Sequence, residues 1–398
     1  MKPNKADYSR FLAGHEGWLH LCAHSHHFWP DATREAHLAA WDDAARLSDR
    51  KWERVLGEIL PSVQRSLAAH LGIKYAERIS FAASTHEHYL RLLSCFETSK
   101  GPVRVLSTDS EFHSFRRQSL RAQESGDLQL TLVAQEPRAS FAERFLQAAR
   151  SGNFDIIFVS HVFFNSGGVL PGELDLLKEL RGHCAMLVLD AYHSFMARPF
   201  SLAGLEDDLY VVGGGYKYLQ AGEGACFLYT PPKAEALRPR NTGWYAHFAS
   251  LAGPPTARTE YGAGAWRFWG STFDPSSLYR LQALFSFLAA RGLDAAALHA
   301  HSLSLQEGCL ELMRKRSLAG TFAALSEAAQ QVLPATERGN FLSFRLQPGQ
   351  AKTLETALAA RRVLCDSRES AKESYLRLGW GAYHDEADLR RFEAALAP

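Results

Sequence analysis

The sequence is poor in the features that would place it quickly. Its six cysteines among 398 residues (Cys22, Cys95, Cys184, Cys226, Cys309, Cys365) contain no Cys-x-x-Cys pair. Most sit among apolar neighbours, which fits reduced, buried thiols and argues against a disulfide frame. A surplus of one charge is missing too. The chain has 44 Lys and Arg against 43 Asp and Glu, a formal net charge of +1, and no basic stripe runs along it. Neither nucleic acid nor an anionic membrane is therefore expected as a partner. No apolar run approaches the ~20 residues a membrane span needs. Met1 to Arg10 is polar and mixed in charge. It has neither the apolar core of a secretory signal nor the Arg-rich bias of a transit peptide, so a cytoplasmic protein is expected. Internal repeats, low-complexity tracts and long linkers are also absent.

What is present is the pattern of a large α/β protein. Apolar residues make up 46% and charged residues 22%, and the length suggests two domains or one large domain carrying a smaller one. Residues 31–71 show apolar and aromatic residues at helical spacing (Leu38, Trp41, Ala45, Trp52, Leu56, Leu60). Short apolar runs follow at Phe81–Ala83, Val103–Ser107, Leu130–Val133, Ile156–Ser160, Met186–Leu189, Leu209–Val212 and Ala225–Tyr229. Amphipathic stretches such as His88–Glu97, Phe141–Ala149 and Glu173–Arg181 lie between them. Runs that are apolar on both faces and separated by helices predict a mostly parallel sheet covered on both sides. Residues 277–315 read as helical. The C-terminal part reads as a small α+β unit with strands at Phe341–Leu346, Arg362–Cys365 and Tyr375–Leu378, and helices at Thr353–Arg361 and Glu386–Leu396. The expected division is a large domain over residues 55–275, with 1–54 and 276–398 forming the small one.

The chemistry concentrates in residues 186–229. A buried strand ends in Asp190, at the carboxyl end where parallel sheets bind ligands, and His193 follows three residues later. The next strand runs into Gly213-Gly214-Gly215-Tyr216-Lys217-Tyr218. Three glycines deny side-chain bulk beside the lysine, so a large group is expected to approach the backbone there. A lysine after a strand is ordinarily solvated, and a strand-end Asp is often only a helix cap. Together they are the pair that pyridoxal 5′-phosphate (PLP) requires: an amine to hold the cofactor covalently and a carboxylate to keep its ring nitrogen protonated.

These segments resemble kynureninases. Gly215-Tyr216-Lys217-Tyr218-Leu219-Gln220-Ala221-Gly222-Glu223-Gly224 is similar to their S-Y-K-Y-L-N-A-G-P-G, Asp190-Ala191-Tyr192-His193-Ser194 to their D-x-x-H-S, and Gly243-Trp244-Tyr245-Ala246-His247 to their G-W-F-G-H. Arg267-Phe268-Trp269-Gly270-Ser271-Thr272 resembles the R-F-x-x-G-T run of class V aminotransferase-fold enzymes, and Asp366-Ser367-Arg368-Glu369 resembles D-x-R-E. The matches keep the family order across nearly the whole chain. The resemblance implies the PLP fold type I: a large domain built on a seven-stranded, mostly parallel sheet, with a smaller α+β domain. It implies Lys217, Tyr216 and Asp190 as catalytic residues. It implies that Ser84 and Thr85, at a helix N-terminus suited to phosphate, hold the cofactor together with His193, and that His113 stacks on its ring. Tyr216 would contact the phosphate and shuttle a proton. Arg377 would clamp the substrate α-carboxylate. Trp244 and Thr272 would reach the phosphate site of a partner subunit in a homodimer with shared active sites. The implied substrate is a small molecule, an amino acid with an aryl or acyl side chain, and the implied reaction is hydrolytic Cβ–Cγ cleavage.

The pattern departs from kynureninases on the substrate side. Ala23-His24-Ser25-His26-His27 replaces a G-N-S-L-G stretch, and Phe163-Phe164 replaces polar positions near the cofactor's 3′-oxygen. His24 and His26 then become candidate substrate-binding residues. Phe28, Trp29, Phe163, Phe164 and Trp380 would form an aromatic wall if they face the pocket, and would otherwise be core. Alternatives on the same fold are a class V aminotransferase, or another PLP lyase or desulfurase. A desulfurase is disfavoured because Cys365 aligns before the D-x-R segment and not on a loop preceding the arginine. A more remote alternative is a metal-dependent hydrolase using His24, His26 and His27, whose imidazoles suit Zn²⁺; no metal is expected in the favoured reading.

Overall fold

The structure, a computed structural model, describes residues 4–253, 257–315, 318–369 and 373–397. Its centre is a seven-stranded sheet formed by β2 (Ile79–Ala82), β3 (Val103–Thr108), β4 (Leu128–Val133), β5 (Phe154–Ser160), β6 (Cys184–Asp190), β7 (Leu209–Gly213) and β8 (Cys226–Tyr229), in the order β2-β8-β7-β6-β5-β3-β4. Five strands run parallel, and β8 pairs antiparallel with β7 and β2. Alternate residues feed two cores. Leu106, Ile157, Val159, Leu187, Leu189 and Val211 pack with helices Leu60–Leu71, Phe141–Ser151, Glu173–Leu180 and Ser276–Ala290. Val105, Ile156, Phe158, Met186, Val188 and Val212 pack with helices Thr85–Leu93 and His113–Glu124. Covering both faces is why each strand reads as apolar throughout. This is the expected α/β architecture.

The C-terminal residues build a three-stranded antiparallel sheet of β9 (Phe341–Leu346), β11 (Asp366–Glu369) and β12 (Ser374–Gly379), with β12 in the middle. Leu342, Phe344, Leu376 and Leu378 pack against Leu305, Cys309, Leu310 and Met313 of helix Ala295–Lys315. The N-terminal chain joins this unit. β1 (Leu19–His20) pairs in parallel with β10 (Val363–Leu364).

Three expectations change. The helical stretch 31–71 is interrupted at Ser48, whose φ of 53° ends helix Ala32–Leu47. The stretch 277–315 is two helices, parted where Gly292 adopts a φ of 58°. β11 has no counterpart among the expected strands, because Asp-Ser-Arg-Glu carries no apolar alternation. Among the described residues, no single helix is long and apolar enough to cross a membrane.

Helix Ala32–Leu47 lies against helix Ser276–Ala290, and a polar hub pins the two. The buried Asp43 accepts from Arg46 Nη2 (2.8 Å), Arg54 Nη1 (2.5 Å) and the Tyr279 hydroxyl (2.8 Å). Removing the acceptor strands a buried hydroxyl and loosens two guanidinium groups. Asp43→Ala is expected to lower unfolding free energy by about 2 kcal/mol, measured by urea denaturation; an unchanged midpoint would refute the hub.

Candidate active site

Three neighbouring parallel strands deliver the polar residues. The ladder registers Ser160 of β5 with Asp190 of β6, and Asp190 with Val212 of β7. The chain leaves β7 at Gly213 and turns inward, so Lys217 comes back over the carboxyl ends of these strands. A cavity opens there, lined by Ser84, Thr85, His86, Phe112, Ser160, Phe164, Asp190, Tyr192, His193, Tyr216 and Lys217 among others.

Lys217 is 5% exposed, and its Nζ lies 2.5 Å from His193 Nε2. Burial brings its amine down to about 7. Asp190 opposes this, while the fields of Arg377 and Arg368 assist it. Burial also drives the His193 imidazole well below its ordinary range, so the ring is neutral where its Nε2 pairs with the amine. Burial raises the Asp190 carboxyl, against the Tyr192 N–H (2.8 Å to Oδ1) and the Lys217 charge, which both favour the carboxylate. Three rings surround the amine, with centroids at 4.7 Å (Tyr192), 5.3 Å (Phe112) and 5.7 Å (Tyr216). Behind Ser160 lies Glu111, which accepts from Thr108 Oγ1 and from the Ser160 hydroxyl and N–H, and burial lifts it to about 7.

At the opposite wall, helix Thr85–Leu93 points its N-terminus into the cavity. Ser84 caps it, accepting from Glu87 N–H at 3.3 Å. This cap starts the helix three residues before the expected His88. Thr85 and the first-turn N–H groups are positioned for an anion.

Other candidate residues lie elsewhere. His113 is exposed, outside the cavity and edge-on to Phe164; the neighbouring Phe112 lines the cavity instead, because the helix from His113 to Glu124 starts there and turns the imidazole outward. Arg377 is 1% exposed, but its donors are taken by Asp366 and by the Phe164 carbonyl. His24 is buried on Asp366 (2.9 Å), His26 is exposed and stacked on Tyr216 (5.0 Å), and His27 accepts from Ala382 N–H inside the core. The three imidazoles diverge, and no group of three or more metal-ligating side chains occurs among the described residues. The hydrolase alternative loses its geometry. Trp244 and Thr272 lie outside this chain's own cavity, with Trp244 Nε1 donating to Thr272 Oγ1 at 3.2 Å and its ring 41% exposed.

The aromatic wall is differently composed. Phe28, Phe163 and Trp380 are core, and Trp29 packs on Gly222; of that group only Phe164 lines the cavity. Phe112, Tyr192 and Tyr216 complete it. The glycine run also has another use. A Cβ on Gly214 would lie 2.3 Å from the Tyr192 ring, one on Gly213 2.6 Å from Phe227, and one on Gly215 2.6 Å from Ala225 Cβ. Gly213 and Gly214 seat the chain's own rings, and Gly215 seats the Ala225 methyl.

The family model described as aminotransferase class-V matches residues 46–392. The chain belongs to the aminotransferase class-V family. No protein of curated function matches its sequence. Solved structures similar to it include the apo cysteine desulfurase from Thermococcus onnurineus NA1 (16% identity, TM-score 0.76, 99% of this chain and 97% of that one). The cystine C-S lyase C-DES in complex with its product cysteine persulfide is also similar (16% identity, TM-score 0.77, 97% and 98%). So is the cysteine desulfurase CsdA from Escherichia coli (14% identity, TM-score 0.75, 97% and 96%). At these identities the likeness is one of fold.

Class V proteins work with PLP, and the site has the chemistry to hold it. Lys217 supplies an amine discharged near neutrality, Asp190 a carboxylate at the carboxyl end of the central strand β6, and Ser84 and Thr85 a helix N-terminus for phosphate. His193 Nδ1 and His86 Nδ1 are buried without partners, which marks this as a place where polar atoms await a ligand.

Two outcomes follow. Gly214→Ala forces the Tyr192 ring from its seat; a loss of about 1–3 kcal/mol in stability is expected, with weaker PLP retention on dialysis, and retention equal to the parent's would refute the packing argument. In protein freed of cofactor, modification of Lys217 by trinitrobenzenesulfonate should follow its neutral fraction. It should rise about 10-fold per pH unit below about 7 and level off above it. A rate still climbing steeply at pH 9 would show an ordinary lysine.

Proposed function

We propose that this enzyme cleaves a side-chain bond of an amino acid, most specifically by kynureninase-like hydrolysis of a Cβ–Cγ bond. The observation that carries the reading is the Tyr216–Lys217 pair set in an aromatic cavity that lacks an activated thiol. Desulfurase chemistry through a cysteine requires a thiolate. Here Cys365 is buried and its thiol is pushed well above its ordinary range, and Cys226, the one cysteine lining the cavity, is raised to about 11. A flat, apolar substrate group suits walls made by Phe112, Phe164 and Tyr192.

PLP, when bound, supplies the electron sink. Lys217 would hold it, and the free Lys217 amine would take the Cα proton, a task for which a lysine near 7 is matched. Asp190 keeps the ring nitrogen protonated. Tyr216, whose hydroxyl burial lifts to about 12, keeps its proton at neutral pH and would give it to Cβ, while a water molecule supplies the hydroxyl that Cγ takes as the Cβ–Cγ bond breaks. Ser84 and Thr85 take the phosphate. The protein works as a homodimer in this reading, with Trp244 and Thr272 serving the neighbour's site. Their exposure away from their own cavity, beside the 41% exposed Phe248, supports it.

Purified protein should carry a visible cofactor band that borohydride abolishes, with the reduced label on Lys217. L-Kynurenine should yield anthranilate and alanine, and Asp190→Asn should cut turnover by several orders of magnitude. A label absent from Lys217 overturns the site. A holoenzyme that leaves kynurenine and 3-hydroxykynurenine intact but splits L-cystine would replace the hydrolase with a C–S lyase.

A further inference from the structure

A carboxylate stands at the mouth of the cavity, and the reaction above gives it no task. Glu223 follows the lysine loop and lines the same cavity as Lys217. Its side chain is 60% exposed, which puts it at the rim. The backbone under it is fixed. Gly222 and Gly224 flank it with φ of 76° and 78°, a conformation that glycine adopts without strain. Gly222 is pressed on Trp29, where a Cβ would lie 2.3 Å from the ring. The buried Arg280 holds the turn, with Nε on the Ala221 carbonyl at 2.7 Å and Nη2 on the Glu223 carbonyl at 2.5 Å. Its Nη1 is taken by Ser276 Oγ and His37. Arg280 therefore grips the main chain and leaves the carboxylate free, and its charge is shared with Asp274.

Among the described residues the Glu223 carboxylate pairs with one group, His26, whose Nε2 lies 3.7 Å from Oε1, beyond hydrogen-bond reach. His26 is itself 67% exposed and stacks on the Tyr216 ring. The Glu223 charge also acts inward. After burial, Cys226 and Asp190, it helps to hold the proton on the Tyr216 hydroxyl. The carboxylate is thus close enough to the reacting end to be felt there, and open enough to meet whatever enters. The walls made by Phe112, Phe164 and Tyr192 accept a flat group but do not sort substrates by charge. A fixed anion at the rim does, because like charges brought together there cost free energy and opposite ones gain it.

Resting on the reading above of a site for PLP and an amino acid, we propose that Glu223 is a specificity-determining residue. It accepts a cationic or hydrogen-bond-donating group at the far end of the substrate side chain and turns away side chains that end in an anion. The aryl amine of kynurenine is a donor of this kind.

The test uses the holoenzyme and the visible band of its bound cofactor. L-Phenylalanine and its para-aminomethyl and para-carboxy derivatives share one ring and differ in charge at the far end. Each is titrated while the band is followed. The parent should bind the aminomethyl probe about 10-fold more tightly than the carboxy probe, with phenylalanine between them. Glu223→Gln should bring the two charged probes to nearly equal affinity and leave phenylalanine unchanged, and Glu223→Lys should invert the order. Added salt should shrink the parent's ratio, an effect that a purely structural side chain would not produce. The side chain is exposed, so both variants should fold, as circular dichroism and retention of the cofactor band would check. A Glu223→Gln variant that keeps the parent's ratio overturns the assignment, and so does a parent that binds all three probes alike. A holoenzyme whose band responds to none of them also overturns it, while leaving PLP on Lys217 intact. Absence of the band in the parent brings down the PLP reading itself, and this assignment with it.

Discussion

The contact between Lys217 Nζ and His193 Nε2 at 2.5 Å sets the terms for the site. It exists because imidazole taken out of water stays neutral and can accept, while the lysine amine, equally dehydrated, is close to losing its charge. Were either group solvated, the lysine would carry a full charge and be inert as a nucleophile. The dry surroundings are thus part of the chemistry. They are made by the Tyr192, Phe112 and Tyr216 rings, and the Tyr192 ring fits only because Gly214 has no Cβ.

Keeping the lysine loop in that place takes contacts from far along the chain. Gln220, three residues past Lys217, has a φ of 58°, a left-handed conformation that costs a non-glycine residue roughly 1 kcal/mol. Its side chain accepts from the Tyr8 hydroxyl at 2.6 Å, and Arg280 donates to the Ala221 and Glu223 carbonyls. The His27 N–H donates to the Tyr216 carbonyl at 3.0 Å. The N-terminal segment therefore ties the reactive loop to the small sheet, through Leu21 and Ala23 bonded to Gly379 of β12, so the lysine and the arginines are held in one frame.

The parts of this arrangement that were legible in the sequence are those set by short-range pattern. Asp190 and Lys217 follow buried apolar runs, and the carboxyl ends of parallel strands meet at one crevice, so their proximity follows from local signals. Phe112 was not legible over His113. Which of two adjacent aromatic side chains enters the cavity depends on where a helix begins, and no cap residue marks that point, since Phe112 itself occupies the cap position. The glycine run was visible, but its partners Tyr192, Phe227 and Ala225 are set by packing. The Asp366–Arg377 pair was hidden for another reason: it is a cross-strand register, and β11 is a polar strand without hydrophobic alternation. His24 lay among three clustered histidines that left a metal site as a remote alternative, yet the backbone turns the rings to separate neighbours.

Phe164 joins the two halves of the site. Its side chain can give no hydrogen bond. In exchange it presents a π face to two guanidinium groups, each attraction being of the order of 1 kcal/mol or more when desolvated, and its edge to Phe112 and His193. Its carbonyl accepts from Arg377, so backbone and ring are fixed by the same cation. A polar replacement would remove the surface that holds the arginine pair, Arg368 and Arg377. The aromatic residue thus orders the arginine pair, and His24 joins the same cluster through Asp366.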